Sequence, residues 1–302
     1  MKKYLLGLPV LAAFVYLAGC NSSSGDTVEL KFKLPKGAKY EYAMNMDMKM
    51  NRQMMGKNVD VKNTMGSTYL FEVTNDSADW KTIAATITKI SMDMDAMGMT
   101  MHFDTDMPDT GVGPVAIMGK VFGAMKGTRF SFKLNDKGDV SEITGLQEMR
   151  EKMLSGLPNS GEGAGGLDKA FDEESMKQNM QQAFQAYPGK PVKPGDSWTK
   201  TTTQKMQGMS VKSDNTYTLE SVSGNDAVVK VVTKMTMDAT NDVEGGKVTM
   251  TGAGDGKTHF DLATGMAKDG DMDLKMDMKV KVDTTEMPMT MNMKMKIKGK
   301  KL

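Results

Sequence analysis

The sequence predicts a mainly β protein, in which long antiparallel strands form two related sheet units on either side of a central helical segment. Three observations carry this prediction. Apolar and polar residues alternate over long stretches, short motifs recur in the two halves of the chain, and helical spacing is confined to the middle. A curved sheet, a sandwich and a half-barrel would each cover the apolar face of such strands, so the alternation leaves all three open.

Methionines occupy alternate positions in the predicted strands. From residue 40 to residue 50 every even-numbered residue is tyrosine or methionine, and the odd-numbered residues are mostly polar. The same alternation marks residues 272–282 and 287–297. Between Ile90 and Phe103 the apolar parity changes from even to odd. This change predicts a bulge or a tight turn near Asp95 and Ala96, because one extra residue exchanges the two faces.

Two helices are predicted in the middle of the chain. Thr144 opens a capping box, and Leu146, Met149 and Met153 follow at helical spacing. A second apolar stripe runs from position 176 to Tyr187, after a glycine-rich loop at 156–166. The predicted organisation is therefore an N-terminal β unit at 28–144, a helical segment at 145–187 and a C-terminal β unit at 188–302.

Recurring motifs indicate an internal duplication. A turn motif ending in glycine stands three residues before an aromatic residue in both halves, before Tyr40 and before Trp198. Three further matches are residues 69–72 with 217–220, 92–95 with 235–238, and His102-Phe103-Asp104 with His259-Phe260-Asp261. The rival explanation is that alternating strands with similar turns resemble each other by composition alone.

The N-terminus has the features of an export signal. Lys2 and Lys3 precede an apolar stretch that is short for a membrane span. The residues Leu17-Ala18-Gly19-Cys20 resemble the lipobox of bacterial lipoproteins, and Cys20 is the only cysteine. This resemblance implies a signal peptide at 1–19, a diacylglycerol thioether on Cys20, and a lipidated tether at 20–27. Asn21 after the cysteine favours the outer membrane by the sorting rule of enteric-type envelopes.

Several motifs together resemble a bacterial lipoprotein family known only as a domain of unknown function (DUF6263). They are the lipobox, the Pro-Lys-Gly start at residue 35, the alternating methionine strands, Phe130 to Gly138, and the late Lys-Pro-Gly-Asp-Ser-Trp and Phe260 to Gly265 motifs. These motifs correspond to turns and strands. The resemblance therefore implies an envelope lipoprotein and assigns no activity.

Composition argues against several classes of function. The chain has 39 basic and 38 acidic residues, which gives no basic excess for nucleic-acid binding. Two histidines and one cysteine leave little material for a nucleophilic or multi-histidine site. We find no catalytic constellation and no cofactor motif. The sequence therefore predicts a non-enzymatic protein that contacts the membrane through its lipid and has no predicted cofactor.

The 34 methionines suggest three functions. A methionine-lined interior would adapt to an apolar ligand such as an acyl chain, which is the leading hypothesis; a structural lipoprotein with a packed core is the alternative. Thioethers also bind soft ions such as Cu(I) and Ag(I), and they scavenge oxidants by forming sulfoxides. The local metal candidates are Met99, Met101 and His102, although His102 would point to the opposite face of a strand.

Overall fold

The computed structural model describes residues 27–302 except 55–56, 97, 108–113, 156–172, 185, 207–208, 239–245 and 283–284. The predicted signal peptide, Cys20 and the glycine-rich loop at 156–166 lie outside the described residues. The described strands are β1 Lys39–Met54, β2 Lys57–Asp76, β3 Lys81–Ala96, β4 Met99–Asp104, β5 Arg129–Leu134, β6 Val140–Thr144, β7 Ser197–Met206, β8 Met209–Ser223, β9 Asp226–Asp238, β10 Gly246–Asp261, β11 Ala267–Val282 and β12 Thr285–Lys301. The described helices are α1 Pro114–Met125, α2 Leu146–Ser155 and α3 Glu173–Ala183.

All twelve strands belong to one antiparallel sheet. Its order is β6-β5-β3-β2-β1-β12-β11-β10-β9-β8-β7. Strand β5 pairs with the first part of β3, at residues 81–86, and β4 pairs with the last part, at residues 91–96. Strands β1 and β12 pair from Tyr40 opposite Lys301 to Arg52 opposite Met289, and this pairing joins the two halves. The mainly β prediction is confirmed. The two units are parts of one open sheet, so a sandwich of two packed sheets is not what the described residues form.

Helix α3 lies against both edges of the sheet. It contacts β6 at one edge and β7 at the other. The amide Nε2 of Gln204 in β7 donates to Oε1 of Gln182 in α3 at 3.0 Å. The ring of Phe184, directly after the helix, packs on Phe132 of β5 at 5.9 Å between centroids. Edge strands that are far apart in the strand order therefore share one covering helix.

The main core occupies the end of the sheet where β1 begins. Phe132 and Leu134 are fully buried there, and Met149 and Met153 of α2 are almost as inaccessible. Tyr187 packs between Phe184 and Phe260, and its hydroxyl donates to the carbonyl of Gly265 at 2.9 Å. Side chains from strands, helices and the segment at 28–34 thus fill this end.

The turn before each unit has the same hydrogen bonds. The amide of Gly37 donates to the carbonyl of Val73 at 2.8 Å, and the amide of Val73 donates to Ala38 at 3.0 Å. In the second unit, Gly195 and Leu219 make the corresponding bonds at 2.8 and 3.0 Å. The turns before the two units therefore share one hydrogen-bond pattern.

Strand pairing corrects the details of the predicted repeat. Tyr40 lies opposite Phe71, and Trp198 lies opposite Tyr217, so Phe71 corresponds to Tyr217. The match of residues 69–72 with 217–220 is therefore displaced by two positions. The His-Phe-Asp match is also wrong: Phe103 lies opposite Met92 in β3, whereas Phe260 lies opposite Ala227 near the start of β9.

The predicted helices are found, but a third one was missed. Helix α2 begins at Leu146 as expected, and α3 ends at Ala183, before Tyr187. Helix α1 lies within the predicted N-terminal β unit, between β4 and β5, which both pair with β3. Pro114 in its first turn was a usable signal. The expected parity change is a turn with Gly98 at φ 79°, so that prediction is confirmed.

Candidate functional site

One face of the sheet carries a continuous array of methionines, which we call the methionine face. Residues directly opposite each other in an antiparallel pair lie on the same face of the sheet. The pairing therefore groups side chains from seven strands that follow one another in the sheet, β3-β2-β1-β12-β11-β10-β9. The methionine face comprises Met46, Met48, Met50, Met65, Met92, Met94, Met235, Met237, Met250, Met272, Met276, Met278, Met289, Met291, Met293 and Met295.

A transverse row shows how regular the methionine face is. Met46 of β1 lies opposite Met65 of β2 and Met295 of β12. Met65 continues to Met92 of β3, and Met295 continues to Met272 of β11. Five adjacent strands thus present five methionines side by side. Opposed Cβ atoms in such pairs are about 4.5–5.5 Å apart, so the row forms one apolar strip across the sheet.

Most of the methionine face is half-buried. Met92, Met237, Met250 and Met276 are buried at 4 to 7% exposure, whereas the methionines of β1 and β12 are intermediate. The described helices pack mainly on β3 to β7, near the edges of the sheet. Among the described residues, the central strands therefore present their methionines without extensive contacts to a helix.

Glycines flatten the methionine face along β10. Gly252, Gly254 and Gly256 point to this face, where β10 pairs with β11. A Cβ at Gly254 would stand 2.3 Å from the carbonyl oxygen of Asp273. At Gly252 it would stand 3.0 Å from Cγ of Met276 and 3.4 Å from Cβ of Met235. Glycine thus permits a close approach of the strands and leaves bare backbone between methionine side chains.

The opposite face of the same strands is charged. Asp271 lies opposite Lys296, and Asp273 lies opposite Lys294. The Nζ of Lys294 is 3.1 Å from a carboxylate oxygen of Asp273 in a largely exposed pair. The central strands are therefore amphipathic, with water on the charged side.

Arg52 interrupts the methionine face near the β1–β2 hairpin tip. It lies opposite Met289 on one side and Val59 on the other. Its Nε is buried, and no described residue accepts a hydrogen bond from it. Arg52 continues the even-numbered apolar parity of β1 and was not among the predicted site residues. A charged residue at an apolar position was the available signal.

The structure does not bring the predicted metal candidates together. Met99 and Met101 lie opposite Ala96 and Met94, on the methionine side of the sheet. His102 lies opposite Asp93 on the other side, and its Nδ1 is hydrogen-bonded to the Asp93 carboxylate. Within the described residues, no three or more His, Cys, Asp or Glu side chains are grouped to hold a metal.

The methionines divide between buried and half-buried positions. Met149 and Met153 of α2 are almost fully buried, and some strand methionines such as Met92 and Met276 are buried as well, whereas most of the methionine face is half-buried. A cleft between the β5–β6 turn, α3 and β7 has a volume of about 100 Å³ and is lined by polar residues including Lys137, Asp139 and Thr201. Sites for drug-sized ligands are typically about 300–1,000 Å³. This cleft is therefore smaller than a typical site for such a ligand.

Shifted pKa values mark the core end of the sheet. Burial raises the pKa of the Tyr40 phenol to about 12, and its hydroxyl donates to the carbonyl of Ala267 at 2.6 Å. On the charged face, Lys268 and His259 lower the pKa of the Asp226 carboxyl. The His259 Nδ1 is 2.9 Å from Asp226 Oδ2. These groups are held in structural contacts and are not grouped with a nucleophile.

No described helix has both the length and the apolar character needed to cross a bilayer.

Comparison with known proteins identifies a family. The model of a family described as "Family of unknown function (DUF6263)" matches residues 78–267. No curated protein matches the chain.

Among solved structures, the chain is similar to three bacterial proteins. The β domain of the Bordetella autotransporter BrkA is 8% identical, with a TM-score of 0.23 over 86% of this chain and 98% of that one. The COG4313 outer membrane channel from Pseudomonas putida F1 is 7% identical, with a TM-score of 0.21 over 88% and 97%. The translocator domain of the autotransporter NalP from Neisseria meningitidis is 6% identical, with a TM-score of 0.23 over 88% and 90%. These TM-scores are too low to indicate a shared fold.

Proposed function

We propose that this chain, which belongs to the DUF6263 family, is a non-enzymatic lipoprotein of the bacterial envelope whose methionine face binds an apolar ligand such as an acyl chain. The observation that carries the proposal is the row of methionines across five strands, which is half-buried at its centre and has no extensive contact with a described helix. A contiguous apolar patch that solvent still reaches commonly marks a binding site on a protein.

Methionine suits this function better than a branched side chain would. Its unbranched, polarizable thioether adapts to ligands of different shape. A ligand that covers the face gains roughly 25 cal/mol for each Å² of apolar surface removed from water. The charged pairs on the opposite face, such as Lys294 with Asp273, keep the free protein soluble. Binding would therefore require only the methionine side of the sheet.

The lipobox supports a membrane anchor. A diacylglycerol on Cys20, together with an N-acyl chain, would hold the protein stably because two or more chains anchor where one does not. Asn21 favours the outer membrane as the destination. We expect Cys20→Ser to abolish lipidation and release the protein from the membrane fraction. Mass spectrometry of an unmodified, soluble wild-type chain would contradict the anchor.

The ligand proposal is tested by polar substitutions on opposite faces of the same strands. Met46→Gln with Met295→Gln places amides in the centre of the methionine face while keeping chain length. The matched control is Asn45→Gln with Lys294→Gln, on the charged face. In a titration with a neutral alkyl fluorophore, we expect the methionine variant to bind at least about tenfold more weakly, because each buried amide loses hydration. The control variant should bind like the wild type.

Native mass spectrometry of protein purified from its host gives an independent result. We expect co-purifying apolar molecules on the wild type and fewer on the methionine variant. Equal alkyl binding by both variants, or clean protein that binds no alkyl compound, would contradict the proposal.

A structural lipoprotein without ligand is the second candidate. The observation in its favour is that Met237, Met250 and Met276 are buried against Val211 in a cluster of their own. If the face only packs, replacing Met46, Met276 and Met291 together with leucine should change stability modestly and nothing else, since this exchange nearly conserves volume. A changed spectrum of bound molecules in this triple variant would instead support ligand binding.

A further inference from the structure

Arg52 stands where the strand pattern calls for an apolar residue. In β1 the preceding residues of the same face are Met50, Met48 and Met46, and Arg52 continues their row toward the hairpin tip. Its cross-strand neighbours are Met289 of β12 and Val59 of β2. The guanidinium group of Arg52 therefore lies at one end of the row of methionines that runs along β1.

The guanidinium has unused hydrogen-bonding capacity. Arginine offers five N–H donors in a planar fork that matches a carboxylate. The Nε of Arg52 is shielded from solvent, and no described residue accepts its hydrogen bond. A cation of the opposite face differs in this respect, because Lys294 pairs with Asp273 there. By charge complementarity, Arg52 therefore favours a ligand that carries an anionic group next to an apolar part.

We propose that Arg52 binds the anionic headgroup of a single-chain amphiphile, a fatty-acid carboxylate, whose acyl chain lies along the methionine face. The inference rests on the proposed function, because it assigns the headgroup end and the ligand class of the same site. The carboxylate accepts hydrogen bonds from Arg52, and the acyl chain runs over Met50, Met48 and Met46 toward the core end.

The dimensions of β1 are sufficient for such a ligand. Arg52 and Met44 are eight residues apart in one strand, which at a rise of about 3.4 Å per residue corresponds to roughly 27 Å. The hydrocarbon core of a bilayer is about 30 Å thick and contains two layers of acyl chains. One acyl chain therefore needs only about half of the length of β1 between Arg52 and Met44.

The experiment compares ligands with the same chain and different headgroups. Palmitate, hexadecanol and hexadecyl phosphate compete with a neutral alkyl fluorophore on the full mature chain. The variant is Arg52→Gln, and the matched control is Lys49→Gln, which removes a charge from the opposite face of the same strand. Circular dichroism melts of both variants check that they fold.

For the wild type and the Lys49→Gln control, we expect palmitate to bind roughly tenfold more tightly than hexadecanol, since hydrogen bonds to ionised groups are about twice as strong as neutral ones. In Arg52→Gln this preference should disappear while hexadecanol binds as before. If hexadecyl phosphate also binds roughly tenfold more tightly than hexadecanol, Arg52 recognises any anion and not the geometry of a carboxylate. That result would overturn the fatty-acid assignment.

Two other outcomes separate this inference from the proposed function. If hexadecanol binds but palmitate shows no preference, or if both variants lose the preference equally, the role of Arg52 is wrong and the proposed apolar site stands. If none of the three alkyl compounds displaces the fluorophore, both proposals are wrong.

Discussion

The two ends of the sheet are built from the same strands but have different apolar faces. At the core end, Tyr40 of β1 and Val73 of β2 are 2% and 1% exposed. Toward the hairpin tips, Met48 and Met50 of β1 are only half-buried. Helices and the segment at 28–34 cover the core end, whereas the described helices make no extensive contact with the methionine face.

The difference shows that residue type, and not alternation, separates a closed core from an open face. Tyrosine, phenylalanine, valine and isoleucine fill the core end with rings and branched side chains that pack in defined geometries. The other end uses methionine, which fills irregular space and adapts. Both ends share a strict period of two, so periodicity alone would assign them the same environment.

The largest effect is expected from opening a cavity at the core end. Phe132 is fully buried and packs against the rings of Phe71, Phe130 and Phe184. We expect Phe132→Ala to lower the free energy of unfolding by about 3–5 kcal/mol, the range for buried phenylalanine. Met46→Ala, on the methionine face, should cost clearly less because solvent already reaches its side chain.

Urea unfolding followed by circular dichroism measures both variants. Equal losses of unfolding free energy would mean that the methionine face is packed as tightly as the core, and the comparison between the two ends would fail.

A smaller effect should separate two glycines with positive φ. Gly265 has φ 75°, and a Cβ there would stand 1.9 Å from the carbonyl oxygen of Lys31. Gly195 has φ 95° and nothing within 4 Å of the Cβ position. We expect Gly195→Ala to cost about 1–2 kcal/mol from the backbone conformation alone, and Gly265→Ala to cost more because the chain segment that closes the core must move.

Thermal melts of the two alanine variants provide the measurement. A Gly265→Ala protein as stable as Gly195→Ala would show that the segment around Lys31 does not close the core end.

The sequence predicted the methionine-rich strands, because apolar residues at every second position are typical of a β-strand. It also predicted α2, whose capping box at Thr144 is local in the chain. Helix α1 was missed although Pro114 opens it, and its place between β4 and β5, two strands that share β3 as partner, was missed as well. That relation depends on pairing between distant residues, which a single sequence does not display.

The sequence predicted which residue type forms the candidate site, methionine, but not where in the fold the site lies. The methionines were expected on one face, but their location on an open face depends on what packs over each strand, which alternation does not encode. Odd and even numbering alone places Met99 and Met101 on one face of a strand and His102 on the other, and the structure has this arrangement. Arg52 was visible at an apolar position of β1. Its unpaired Nε depends on the strands beside it.

The smallest expected effect compares an ion pair at each end of the charged face. At the core end, Lys268 and His259 contact Asp226 and hold the pKa of its carboxyl below the ordinary value of 3.8. A pKa that is lower in the folded state adds stability above the unfolded value and loses it as the pH falls through the folded value. We therefore expect Asp226 to contribute to stability at neutral pH and to lose that contribution as the pH falls below about 4.

Asp226→Asn should flatten the dependence of unfolding free energy on pH in the acid range, measured by urea titrations from about pH 6 to pH 3. The matched control is Asp273→Asn, whose partner Lys294 is 67% exposed. Because exposed ion pairs contribute little to stability, this control should follow the wild-type pH profile. Equal flattening in both variants would show that the core end does not hold its charged groups more firmly than the methionine end. In that case the difference between the two ends would be confined to the apolar face.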